Sequence, residues 1–100
     1  MPDYRQRLAS SYNNLAILLT DLGQRAEAEE QYRKALANRV KLAADFPTVP
    51  AYRQDLAGSY NNLAILLTDL GKRTEAEDQY RKGRATQAKL AAHFPTVPTA

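Results

Sequence analysis

Residues able to carry out covalent or acid–base chemistry are few in this sequence. His93 is the only histidine and there is no cysteine. That leaves no thiolate nucleophile, no disulfide and no second imidazole with which to build a zinc site. Carboxylate pairs for general acid–base work can be drawn from Glu27, Glu29, Glu75 and Glu77. Nothing confines them to an apolar pocket that would shift a pKa, and a place early in a helix already accounts for them through the helix dipole. No Gly-rich phosphate loop, nucleophile elbow or metal-binding helix signature occurs. The expectation is a chain with no catalytic residues, no metal and no cofactor, and so not an enzyme.

Binding chemistry is better represented. Tyrosines stand at 4, 12, 32, 52, 60 and 80, and exposed aromatic rings can stack nucleic-acid bases. Their regular spacing points to packing instead: Tyr12, Tyr32, Tyr60 and Tyr80 fall on expected core positions, and Tyr4 and Tyr52 sit in first helical turns. Fourteen basic and eleven acidic side chains leave a net charge of +3, with the signs mixed along the chain. Nucleic-acid binders usually concentrate Lys and Arg on one face, so nucleic acid ranks last among the partners considered. No apolar run approaches the length needed to cross a bilayer, and MPDYRQRLAS has no signal-peptide core. A cytoplasmic location is expected, consistent with the absence of cysteine.

The elements that must position these residues are set by a repeat. SYNNLAILLTDLG occurs at Ser11–Gly23 and again at Ser59–Gly71, and FPTVP at Phe46–Pro50 and Phe94–Pro98. Both pairs are offset by 48 residues, and 36 of 48 positions are identical between Pro2–Val49 and Pro50–Val97. One structural unit is therefore used twice. Asp45 occupies the place of His93 in the first copy, which predicts an exposed, inert histidine.

Each unit carries two helical patterns. Leu8, Ser11, Tyr12, Leu15, Ala16, Leu19 and Leu22 recur at three- and four-residue steps and form one apolar stripe. Pro2 suits a first helical turn, and Gly23 suits a left-handed stop. A second pattern runs from Gln24 through Ala28, Tyr32, Ala35, Leu36, Leu42 and Ala43 toward Phe46. Glu29–Arg33 and Glu30–Lys34 have the spacing of favourable ion pairs. Pro47 ends this helix, and Thr48 is the expected N-cap of the next. The reading is an all-α chain of antiparallel helical hairpins stacked as an α–α superhelix, or solenoid. Residues 1–49 make the first hairpin, with helices at about 3–22 and 25–45; residues 50–97 make the second, with helices at about 51–70 and 73–93.

At these residues the sequence resembles the tetratricopeptide repeat family. Tyr12, Leu15, Ala16 and Leu19 match its first-helix pattern of large, Leu, small and large, and Tyr60, Leu63, Ala64 and Leu67 match it again. Ala28, Tyr32 and Ala35, then Ala76, Tyr80 and Gly83, match the second helix; Gly23 and Gly71 match the turn glycine. The common repeat has about 34 residues, whereas this one has 48 and carries Val40 and Ala88 where a closing proline is usual. The helices are thus extended, similar to the longer repeats of kinesin light chain and of bacterial proteins with many such units.

The resemblance implies a protein–protein interaction module that binds a peptide or helix of a partner along a concave surface made by the first helices. That surface would carry Asn13, Asn14, Ile17 and Asp21, then Asn61, Asn62, Ile65 and Asp69. Asparagine both donates and accepts hydrogen bonds, as recognition of an extended peptide backbone requires. Family members that clasp a terminal carboxylate use Lys or Arg beside such asparagines, and SYNNLAILLTD has neither. The alternative function is a structural unit that stacks mainly with copies of itself. Two repeats leave unused flanks, so a homo-oligomer, or membership of a longer array, is expected. Arg84 in place of Leu36 reads as a solvated cap, but the first helix of repeat one keeps interior-type residues.

Overall fold

The computed structural model describes residues 2–93; the second FPTVP segment, Phe94–Pro98, lies outside them. Four helices follow in order: α1 (Pro2–Asp21), α2 (Arg25–Asp45), α3 (Pro50–Asp69) and α4 (Arg73–His93). Consecutive helices pack together, α1 on α2, α2 on α3 and α3 on α4. No strand occurs among the described residues. The molecule is the all-α stack of hairpins that the repeat implies.

The tight turns are set by glycine. Gly23 and Gly71 have φ of +80° and +78°, a region that a side chain resists. Around Gly23 the amide of Gln24 donates to the Leu19 carbonyl at 2.8 Å, and that of Gly23 to Thr20 at 3.0 Å. Lys72 to Leu67 and Gly71 to Thr68 repeat the pattern at 2.8 and 3.0 Å. These paired bonds satisfy carbonyls that a helix end otherwise leaves open. The connection between hairpins differs from expectation in one detail. Val49, extended at φ −99°, is the N-cap of α3 and Pro50 its first residue; no side chain caps the helix, Thr48 included. Proline at this position needs no amide partner and presets φ, which does the work of a cap.

Two apolar clusters hold the helices. One joins Ala16, Ala28, Tyr32, Leu63, Leu66, Leu67 and Ala76. The other joins Leu42, Ala43, Tyr52 and Leu56, and Leu36 packs against both. Ala16 and Ala28 are fully buried, and their small side chains let α1 and α2 approach closely. Gly83 serves the same end between α3 and α4: a Cβ there would lie 3.1 Å from Asn61 Oδ1 and 3.3 Å from Tyr60 Cβ.

The stripe expected to be buried in both copies is buried in one. Leu63 is 0% exposed and Leu66 2%, because α2 covers that side of α3. Their counterparts Leu15 and Leu18 are 42% and 54% exposed, and Leu22 and Tyr4 are also bare while Tyr52 is buried. Tyr80, expected in the core like Tyr32, is exposed for the same reason at the other end: among the described residues nothing follows α4. Burial here is supplied by the neighbour, not by the residue's own type.

That asymmetry gives a matched pair of substitutions. Leu63→Ala should cost about 2–5 kcal/mol through lost methylene burial and a residual cavity. Leu15→Ala, the same change in the same local sequence, should cost under about 1 kcal/mol. Urea melts of dilute protein compare them; equal losses would mean that the face of α1 is covered.

Candidate functional site

The first helices present a polar face with an apolar centre. On α1, Asn14, Ile17 and Asp21 follow at three- and four-residue steps and all are exposed. On α3 the same stripe is Asn62, Ile65 and Asp69, of which Asn62 is half-buried and the other two exposed. Ile17 is 43% and Ile65 53% exposed. Asn13 and Asn61 are half-buried, as Asn62 is.

Two side-chain bridges fix the spacing between the stripes. Asn62 Nδ2 donates to Asn13 Oδ1 at 3.3 Å, and Gln6 Nε2 donates to Asp55 at 3.3 Å. Each carboxamide keeps further donors or acceptors after making one bond. Asn61 faces the glycine gap at Gly83. Of the eight positions read from the sequence, Asn14, Ile17, Asp21, Ile65 and Asp69 lie on the open surface; Asn13 and Asn62 tie α1 to α3.

Other polar groups join the repeats. Glu29 accepts from Arg33 at 2.9 Å and from Lys72 of the second repeat at 3.0 Å, and Arg33 also lies 4.0 Å from Glu75. Partial burial works to raise the Glu29 pKa, but the bonds and charges of Lys72 and Arg33 outweigh it and hold the carboxyl below its ordinary range. Arg39 Nη1 donates to Ser59 Oγ at 2.7 Å between α2 and α3. Burial pushes its guanidinium pKa down against the opposing pull of Asp55, and its Nε has no partner. The Glu29–Arg33 pair was legible from spacing; Lys72 and Ser59 were not, because they arrive from the next repeat. Lys34 stands over the Tyr12 ring at 5.7 Å rather than pairing with Glu30.

The sequence reading missed one surface. Between α2 and α4 an open depression of about 460 Å³ is lined by Arg33, Lys41 and Lys82 around Leu36, Val40 and Tyr60. Cations along both second helices were the available signal; the gap that groups them is tertiary.

Among the described residues the one histidine takes part in a contact between helices. His93 is exposed, with Arg53 Nη1 at 3.2 Å and the Lys89 carbonyl at 3.0 Å from Nδ1. The matching pair in the first repeat is Arg5–Asp45 at 2.8 Å, so this position ties a second helix to the first helix of its hairpin. Among the described residues no group of three or more His, Cys, Asp or Glu stands ready to hold a metal, and no helix is long and apolar enough to cross a membrane.

Stacked helical hairpins with small residues at their crossings define a helical-repeat protein. The family model for the tetratricopeptide repeat matches residues 8–46 and 56–91, and the chain belongs to that family. Its repeats generally mediate protein–protein interaction or scaffolding and are typically non-catalytic. No curated protein and no solved structure matches the chain.

The electrostatic link between repeats predicts a pH signature. A carboxyl whose native pKa lies below its unfolded value stabilises the fold above that unfolded value and ceases to as pH falls through the native one. Glu29→Gln should therefore lower the melting temperature at neutral pH, and the difference from wild type should close as pH drops below about 4. Thermal melts across pH check this; a gap that stays constant into acid would show that the charge of Glu29 is not what Lys72 and Arg33 recognise.

Proposed function

We propose that this protein is a non-catalytic interaction module whose first-helix face, concave in longer arrays of the family, holds a peptide or helix of a partner protein. One comparison carries the reading. Ile17 and Ile65 are exposed in both repeats, although α2 covers a side of α3 whose counterpart on α1 is bare among the described residues. Stacking is thus not what these isoleucines are for, in contrast to Leu15 and Leu18, whose counterparts are buried. Ile17 and Ile65 supply apolar anchors, Asn14 and Asn62 read backbone amides, and Asp21 and Asp69 favour basic side chains at one rim. A cytoplasmic setting, as part of a scaffold, is consistent with a cysteine-free chain.

A second reading is self-association. It is supported by the bare strip of Tyr4, Leu15 and Leu18 on α1, with Leu22 just past its end, whose counterparts on and after α3 a helix covers or packs against. Large apolar side chains left bare on one side of a helix suit an interaction site.

Selection of a random peptide library on immobilised protein tests the first reading. Ligands recovered on wild type should lose at least about tenfold in affinity for Ile17→Ser/Ile65→Ser, because two buried anchors disappear. Helicity should be unchanged. Binding that survives this change but is lost with Lys41→Glu/Lys82→Glu would move the site to the depression between α2 and α4 and end the proposal.

A further inference from the structure

Resting on the self-association reading, we infer that the bare face of α1 receives α4 of a second copy of this chain, so that molecules join head to tail. The internal junction is the template. There α2 covers α3, and Arg39 donates to Ser59 at 2.7 Å, while Asp55, which accepts from Gln6 at 3.3 Å, attracts the Arg39 charge without bonding to it. On the bare face the same places hold Ser11 and Arg7, and on α4 the place of Arg39 holds Gln87.

Those two changes match each other. An arginine-bearing helix such as α2 would set its guanidinium against Arg7, and like charges brought together in a desolvated junction are disfavoured. Gln87 removes that conflict: its amide nitrogen can donate to Ser11 while its carbonyl accepts from Arg7. Arg39 with Asp55, and Gln87 with Arg7, are the two compatible pairs; Arg39 with Arg7 is not. The differences between the repeats thus form a code by which the outer ends fit each other and an α2-type helix is refused.

One ionic contact of the junction carries over and one does not: Glu77 stands in the place of Glu29, but Gln24 stands where Lys72 makes its 3.0 Å ion pair. Arg81 and Glu27 occupy the places of Arg33 and Glu75, which approach to 4.0 Å across the internal junction. The apolar strip of α1 repeats that of α3, and Tyr80 stands exposed on α4 where Tyr32 is buried on α2. Besides that lost ion pair, Arg84 opposes the contact outright. Arg84 replaces Leu36, which packs into both apolar clusters. The end junction is accordingly weaker than the internal one, so assembly depends on concentration. A contact between unlike faces that does not close on itself yields growing chains rather than a fixed dimer.

Sedimentation of the whole chain from micromolar to sub-millimolar concentration tests this, with circular dichroism at high dilution to verify each variant's fold. Wild type should form species that lengthen with concentration, and Leu18→Asp, at a residue exposed in the monomer, should leave monomers. Gln87→Arg should weaken association by about tenfold or more through its charge against Arg7. Adding Arg7→Asp to that variant should restore it by rebuilding the internal pair. Arg84→Leu should tighten assembly. Monomer at every concentration would overturn self-association itself. Association that Leu18→Asp abolishes, but that ignores Gln87→Arg and Arg84→Leu, would overturn only the head-to-tail arrangement and indicate pairing of like faces.

Discussion

α2 has both of its sides in use, and the rest of the structure depends on that. Toward α1 it completes a hairpin through Ala16 and Ala28; toward α3 it buries Leu63, Leu66 and Leu67 beside Tyr32. A single hairpin has one internal contact and leaves its outer faces wet. With α2 shared between two first helices, the chain gains a core that neither repeat could enclose alone. The consequence is uneven: α3, between two neighbours, has eight buried residues, whereas α1, of nearly the same sequence, has two.

Apolar packing sets the stack, and polar contacts set its register. Asn13–Asn62 and Gln6–Asp55 hold the first helices at a fixed spacing, and Glu29 with Lys72 ties the turn of the second repeat to the body of the first. Arg39 is the costly member of this set. A half-buried guanidinium with one nitrogen unpaired adds little net stability, yet its bond to Ser59 and attraction to Asp55 specify which helix belongs against which. Stability resides in the leucines, and the choice of partner in the polar centre of the junction.

Exposed apolar residues fall into two groups once the repeats are compared. Leu15, Leu18 and Leu22 are bare only where no second helix lies against them, and so belong to stacking. Ile17 and Ile65 are bare in both environments, which supports a role toward another molecule. The separation is physical: a position that stays wet when its helix is fully flanked does not serve the fold, whereas one that dries when flanked does.

How much of this was legible depends on the range of the cause. The three- and four-residue apolar spacing, the turn glycines and the 48-residue period are local, and from them the helices, the antiparallel hairpins and the family resemblance followed directly. The helix N-cap at Val49 was missed because proline at the next position makes a side-chain cap unnecessary. Of the candidate site, the residue types were legible, but not which asparagines face solvent and which bridge α1 to α3. Ser11–Gly23 and Ser59–Gly71 are letter-for-letter the same, so no reading of either segment could assign different burial to Leu15 and Leu63 or to Ser11 and Ser59. The sequence determined which faces of each helix are able to pack, because periodicity lies along the chain. Only the tertiary structure decided which of those faces do, because burial is conferred by whatever helix lies opposite.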